Sequence, residues 1–199
     1  MNIAIFCSGN GTNLQAMIDK VAEGYIPASI ALVVSDNKDA FALKRAKDAG
    51  IETLVLDPKD FGTREDFDKE VIESLEKKKV ELVVLAGFMR LLSGPFIKKY
   101  ENRIMNIHPA LLPSFKGTRA IKDALEYGVK VTGPTVHFVD EKLDHGPIIL
   151  QKTIEVRGDD TEEILLERMH KKEHEIYPEA VKLFVEGKLK IEGRRVVIR

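Results

Sequence analysis

The chain opens with Met1-Asn2-Ile3-Ala4-Ile5-Phe6-Cys7-Ser8-Gly9-Asn10-Gly11-Thr12-Asn13-Leu14-Gln15-Ala16-Met17, and the architecture follows from it. Ile3 to Cys7 is a short apolar run of the kind a strand buried on both faces uses. Thr12 to Glu23 carries Leu14, Met17, Ile18 and Val21 on one face of a helix. Between them, glycines let the backbone turn tightly, so that free N–H groups at the helix start can meet a phosphate. A dinucleotide fingerprint would have a third glycine where Leu14 stands, so a monophosphate site fits better than a nicotinamide one. The lysine of an ATP-binding phosphate loop is missing too. Asp36 resembles the ribose-binding acid of dinucleotide enzymes and is discounted along with the fingerprint.

The same alternation continues. Ile30 to Val34 is a second apolar run, and a helix around Ala40 to Ala49 ends at Gly50. A weaker strand near Thr53 to Leu56 leads to a charged helix, Arg64 to Lys79, with Phe67, Val71, Ile72 and Leu75 as its stripe. Leu82 to Ala86 and Arg103 to Ile107 read as further buried strands. Strands alternating with helices imply right-handed crossovers and a mostly parallel sheet covered on both faces, an α/β fold. After Gly117 the pattern changes to a helix, Ala120 to Tyr127, then two extended stretches, Val131 to Val139 and Ile148 to Val156. A long helix, Thr161 to Glu186, and a short strand, Val196 to Ile198, complete the chain. One domain is expected over 1–199, with a phosphate-binding half at 1–100 and a second half at 101–199.

Composition narrows the function. The 199 residues are 44% hydrophobic and 32% charged, which describes a globular chain and not a disordered one. Lys plus Arg is 31 and Asp plus Glu is 32, a net charge of −1, which argues against bulk binding to nucleic acid or an anionic membrane. Cys7 is the only cysteine, so neither an internal disulfide nor a cysteine zinc site is available. No signal peptide or membrane-spanning run is legible, and the expected compartment is the cytoplasm.

Asn106-Ile107-His108-Pro109 closes a strand, so Asn106 and His108 share one side while Met105 and Ile107 take the other. Ligands of open parallel sheets sit beyond the carboxyl ends of strands. An amide beside an imidazole there can stabilise negative charge developing on a carbonyl oxygen, although a strand-end histidine taken alone is more often structural. Downstream, Asp140 to Asp144 forms an acidic stretch between two extended segments. It reads either as a solvated turn or as a carboxylate source that would favour the charged imidazole. His137 and His145 have no familiar metal-ligand spacing, so no metal is expected.

The strings Asn106-Ile107-His108-Pro109-Ala110-Leu111-Leu112-Pro113 and Gly133 to Gly146 resemble the signatures of folate-dependent formyltransferases. Ser8 to Gln15 is similar to the glycine loop of the branch that acts on glycinamide ribonucleotide, and the resemblance continues to Glu173-His174-Glu175-Ile176-Tyr177-Pro178. It implies a Rossmann-like fold. It also implies transfer of a formyl group from 10-formyltetrahydrofolate, a co-substrate, to the amine of 5-phosphoribosylglycinamide in de novo purine synthesis, without metal or ATP. By position, it implies that Asn106 and protonated His108 stabilise the oxyanion, with Asp144 supporting the charge. Gly11, Thr12 and Asn13 would hold the phosphate, and His170, Lys171, Lys172 and Glu173 would complete that site. Arg64, Met89, Arg90, Leu91, Leu92 and Asn106, with Asp140, Glu141, Lys142, Leu143 and Asp144, would receive the folate. Small molecules are the expected partners, and the chain could be a monomer or a homodimer. Methionyl-tRNA formyltransferase and formyltetrahydrofolate hydrolase share the central strings and remain alternatives. So does a sensor of folate or phosphate ligands without catalysis.

Overall fold

The computed structural model describes residues Met1–Arg199, which fall into two compact units, Met1–Met105 and Asn106–Arg199. The first unit runs β1 (Asn2–Phe6), α1 (Thr12–Ala22), β2 (Ser29–Ser35), α2 (Phe41–Asp48), β3 (Thr53–Val55), α3 (Arg64–Lys77), β4 (Leu82–Leu85) and α4 (Gly94–Lys99). The chain then enters β5 (Ile104–His108), and the second unit begins within that strand. Strand β1 pairs in parallel with both β2 and β4, and β3 adds in parallel to β2. A central strand has no solvent face, which is why Ile3 to Cys7 are all fully buried and why the segment is apolar without alternation. Thr63 opens α3 by accepting the Asp66 N–H through its hydroxyl at 3.1 Å, and Ser93 does the same for α4 with Phe96.

The second unit continues with α5 (Ala120–Tyr127), β6 (Val131–Thr132), β7 (Thr135–Phe138), β8 (Ile148–Gln151), β9 (Ile154–Glu155), α6 (Glu162–Val185), β10 (Leu189–Glu192) and β11 (Arg195–Ile198). Strands β7 and β8 are antiparallel with Thr135 opposite Gln151, β11 joins β8 in parallel, and β10 closes a hairpin on β11. Strands β6 and β9 form a separate antiparallel pair. Leu165 and Met169 of α6 meet Ile154, with Ile121 and Leu125 of α5 packed against them. The fold is α/β, mostly parallel and flanked by helices, with antiparallel strands added in the C-terminal half. No helix is long and apolar enough to cross a membrane.

Four details depart from the sequence reading. The extended stretch Val131 to Val139 is two strands, because Pro134 has no N–H to give a continuous ladder. Ile148 to Val156 breaks likewise, at Lys152-Thr153. Helix α4 was not foreseen, since six residues opening with Gly94-Pro95 carry no helical period. Strand β10 was hidden because Leu189-Lys190-Ile191-Glu192 is half charged and gains its partner only when Gly193 turns the chain onto β11.

Phe96 is fully buried, with ring centroids 6.0 Å from Phe6 and 5.3 Å from Tyr100. Removing a side chain so enclosed leaves a cavity its neighbours cannot fill. Phe96→Ala is expected to lower unfolding free energy by about 3–5 kcal/mol, read from urea unfolding curves.

Candidate active site

Strand β5 delivers Asn106 and His108 to the same side, and β7 delivers Thr135 and His137 by the same period of two. Asp144 arrives from the loop between β7 and β8. His108 Nδ1 lies 3.4 Å from Asp144 Oδ2, with both side chains almost fully buried. His108 Nε2 lies 2.8 Å from the Phe115 carbonyl oxygen, which can only accept, so this nitrogen carries a proton. Both ring nitrogens therefore face oxygen acceptors, and a ring protonated on both satisfies them. Asp144 Oδ2 also accepts the Gly117 N–H at 2.8 Å. Asp144 itself has a φ of 45°, a left-handed conformation that costs a side-chain-bearing residue roughly 1–2 kcal/mol, although Asp tolerates it better than most.

His137 sets the orientation of Asn106. Its Nδ1 lies 2.7 Å from the Phe138 carbonyl, so Nδ1 is the donor. Burial pulls the ring's pKa below its ordinary 6.5, against the pull of the Phe138 hydrogen bond and of Asp144. In this neutral tautomer Nε2 is an acceptor, and the Asn106 Nδ2 group donates to it at 3.2 Å. The second Nδ2 hydrogen is left for a ligand.

The loop after β5 is braced by Thr135 and Gln151. The Thr135 hydroxyl, fully buried, donates to the Ala110 carbonyl at 2.6 Å and accepts the Leu112 N–H at 3.1 Å. Gln151 Nε2 donates to the Leu112 carbonyl at 3.0 Å and to Thr135 Oγ1 at 2.9 Å. The sequence reading missed these roles for Thr135, His137 and Gln151. The Thr-x-His alternation of β7, matching Asn-x-His in β5, was the available signal for the first two.

In the first unit, Gly11 caps α1 in a left-handed conformation, φ 74°, with no side chain closing the helix N-terminus and no acidic residue in its first turn. Such an end is electropositive and open to an anion. The loop is held from behind. Arg45 donates to the Asn10 carbonyl and Oδ1, both at 2.9 Å, and Asn37 Nδ2 donates to the Ser8 carbonyl at 3.1 Å. Gly11 also has a packing duty, since a Cβ there would lie 2.6 Å from Ala42 Cβ on α2. Cys7 is out of the chemistry: burial, with Asp36 near, pushes its thiol pKa up to about 12.

The remaining candidates differ among themselves. On α6, Lys171 pairs with Glu167 at 2.7 Å and Lys172 with Glu175 at 2.9 Å. His170 donates to the buried Glu173 carboxylate at 2.9 Å, and that bond raises the imidazole pKa against the opposing effect of burial. In the turn after β4, Met89 and Leu91 are exposed while Leu92 is turned into the core. Arg90 lies over the Phe67 ring, 4.6 Å from its centroid, and Arg64 is exposed at the start of α3. Asp68 anchors the end of this turn by accepting the Ser93 N–H at 2.6 Å. Asp140 to Leu143 border Asp144 in the β7–β8 loop, with Glu141, Lys142 and Leu143 exposed.

The chain belongs to the formyl transferase family, which it matches over residues 1–181. Within that family it is 44% identical over 191 residues to the phosphoribosylglycinamide formyltransferase of Escherichia coli, covering 96% of this chain and 90% of that one. It is 49% identical over 191 residues to the trifunctional purine biosynthetic protein adenosine-3 of Gallus gallus, and it spans 19% of that relative's length. The crystal structure of glycinamide ribonucleotide transformylase 1 from Symbiobacterium toebii superposes with a TM-score of 0.98 at 52% identity, covering 100% of this chain and 93% of that one.

The neutral His137 carries a pH dependence. Its folded pKa is depressed, so between that value and 6.5 the unfolded chain binds a proton that the native one refuses. The resulting stability is present above pH 6.5 and lost as pH falls through the folded pKa. His137→Gln keeps an acceptor but does not titrate. Between pH 7.5 and 5 it is expected to lose less melting temperature than the wild type, by thermal denaturation in matched buffers.

Proposed function

We propose that this protein transfers the formyl group of 10-formyltetrahydrofolate to the amine of 5-phosphoribosylglycinamide, giving the N-formyl product and tetrahydrofolate in purine synthesis. One observation carries the reading. Asn106, oriented by a neutral His137, shares the buried polar end of the second unit with the His108–Asp144 pair, inside a chain of the formyl transferase family. We further take 1–199 as one formyltransferase domain and the cytoplasm as its location.

The substrate amine attacks the formyl carbon. A C–N bond forms, and the carbonyl electrons move onto oxygen. The free Nδ2 hydrogen of Asn106 donates to that oxyanion, and the charge of His108, supported by Asp144, stabilises it. His108 Nε2 can reach the oxygen directly only if the Phe115 carbonyl gives way, so its default contribution is electrostatic. Collapse breaks the bond to the folate nitrogen, which gains a proton as the amine loses one. The amine is the nucleophile and the formyl donor is already an activated amide, so the reaction calls for neither metal nor ATP.

Gly11, Thr12 and Asn13 are assigned to the ribonucleotide phosphate, supported by the open α1 N-terminus. The α6 residues His170, Lys171, Lys172 and Glu173 are assigned to the same ligand, with His170 fixed by the buried Glu173 carboxylate and the lysines in exposed ion pairs that a phosphate can replace. The folate is assigned to Arg64, the turn Met89 to Leu92, Asn106 and the loop Asp140 to Asp144. Leu92 would act through its backbone, and Arg90 by charge from its seat on Phe67.

A radiolabelled formyl donor supplied with glycinamide ribonucleotide, with charged initiator tRNA, or alone tests the assignment. Formyl should appear only on the ribonucleotide, undiminished in excess chelator. Label on tRNA, or free formate without acceptor, would replace the reading.

Variants refine it. His137→Phe, which leaves Asn106 without its acceptor, should cut turnover about 10²-fold, as loss of an oriented oxyanion donor does elsewhere. His108→Ala should lower turnover far more than affinity for either substrate. Thr12→Val should raise KM for the ribonucleotide several-fold with KM for the folate unchanged. Gly11 is unsuited to this last test, because its replacement forces α2 away.

A further inference from the structure

The C-terminal hairpin lies beyond the residues that match the family, yet it reaches the loop carrying Asp144. Glu192 of β10 pairs with Arg195 of β11, which leaves Gly193 and Arg194 at the tip. Arg194 Nη2 donates to the His145 carbonyl oxygen at 2.6 Å, and Nη1 lies 3.1 Å from His145 Nε2. Nη1 is also 3.4 Å from His145 Nδ1, so it rests against the ring, while the carboxylate of Asp140, which only accepts, requires a proton on Nδ1. That proton is given to Asp140 Oδ2 at 2.7 Å, and Asp140 Oδ1 accepts the Lys142 N–H at 3.0 Å. Arg194, His145, Asp140 and Lys142 therefore form one hydrogen-bonded chain across the loop.

The base of the loop is closed separately. The Phe138 N–H donates to the Pro147 carbonyl at 2.9 Å, and Gly146 packs so tightly that a Cβ would lie 1.9 Å from the Phe138 oxygen. Between base and clamp sits Asp144, in its left-handed conformation and directly bonded to His145. Burial pushes the Asp140 carboxyl up, but the bonds from His145 and Lys142 and the charge of Arg194 outweigh it and hold it below the usual range. The clamp is thus ionised on the acceptor side throughout neutral conditions.

We propose that Arg194 is a positioning residue for formyl transfer, holding the loop Asp140 to His145 so that the Asp144 carboxylate stays against His108. The inference rests on the role given to Asp144 above. An exposed guanidinium contributes little to global stability, so its loss registers in the site and not in the melting temperature.

The test compares full-length Arg194→Ala, Arg194→Lys and Lys190→Ala. The last breaks the Lys190–Glu192 ion pair in the same hairpin without touching the loop. Hydrogen exchange is followed at the Gly117 and Lys142 amides, which donate to Asp144 and Asp140. In Arg194→Ala, exchange at both should quicken about tenfold as the loop opens locally. Turnover should fall about tenfold, with KM for the ribonucleotide unchanged and the melting temperature within about 2 °C. Arg194→Lys should recover part of both losses, and Lys190→Ala should match the wild type. Unchanged exchange and turnover in Arg194→Ala would overturn the proposal, as would an equal loss in Lys190→Ala. If the wild type does not formylate glycinamide ribonucleotide, the functional reading fails, and the exchange rates alone decide whether Arg194 holds the loop.

Discussion

A buried imidazole that faces a carbonyl oxygen can keep its proton on only one nitrogen and still satisfy both. His137 is in that position, and the polar end of the second unit is organised around it. With Nδ1–H given to Phe138, Nε2 has to accept, and the Asn106 amide is turned to supply the hydrogen. That orientation leaves one Asn106 Nδ2 hydrogen to offer to whatever binds. The neighbouring ring, His108, is arranged oppositely, with an oxygen before each nitrogen. Two histidines on neighbouring strands thus have different surroundings, one meeting an amide and the other an oxygen at each ring nitrogen.

The first unit solves a different problem, that of holding a loop rigid while leaving its front open. Arg45 and Asn37 satisfy the loop's carbonyls from behind, and Gly11 lets α1 approach α2 to a distance no side chain would permit. The N–H groups at the start of α1 keep their direction without a cap of their own. Order in such a loop is achieved by its neighbours, which is why a glycine in it serves packing as well as ligand access.

Loops carry most of the polar geometry in the second unit, and each is braced by a residue distant in sequence. Thr135 and Gln151 hold the stretch after β5, and Arg194 holds the stretch before β8. Irregular backbone offers no ladder of its own, so side chains must supply the hydrogen bonds that a strand or helix would make internally. These bracing residues are spread over two strands and a hairpin tip, and only Thr135 lies within a signature string.

Periodicity and glycine placement were enough to read the α/β class, the burial of the first strand, and the pairing of Asn106 with His108 on one side. Those properties are local: they depend on the period of a strand, the turn a glycine allows and the burial of an apolar run. The family resemblance singled out Asp144 from its loop. Only the tertiary structure decided that His137 is neutral and orients Asn106, that Lys171 and Lys172 are engaged by carboxylates while His170 rests on Glu173, and that Gly11 packs against Ala42. Each of these depends on which atom comes within about 3 Å of another after folding, a distance set by packing between segments and carried by no single stretch of chain.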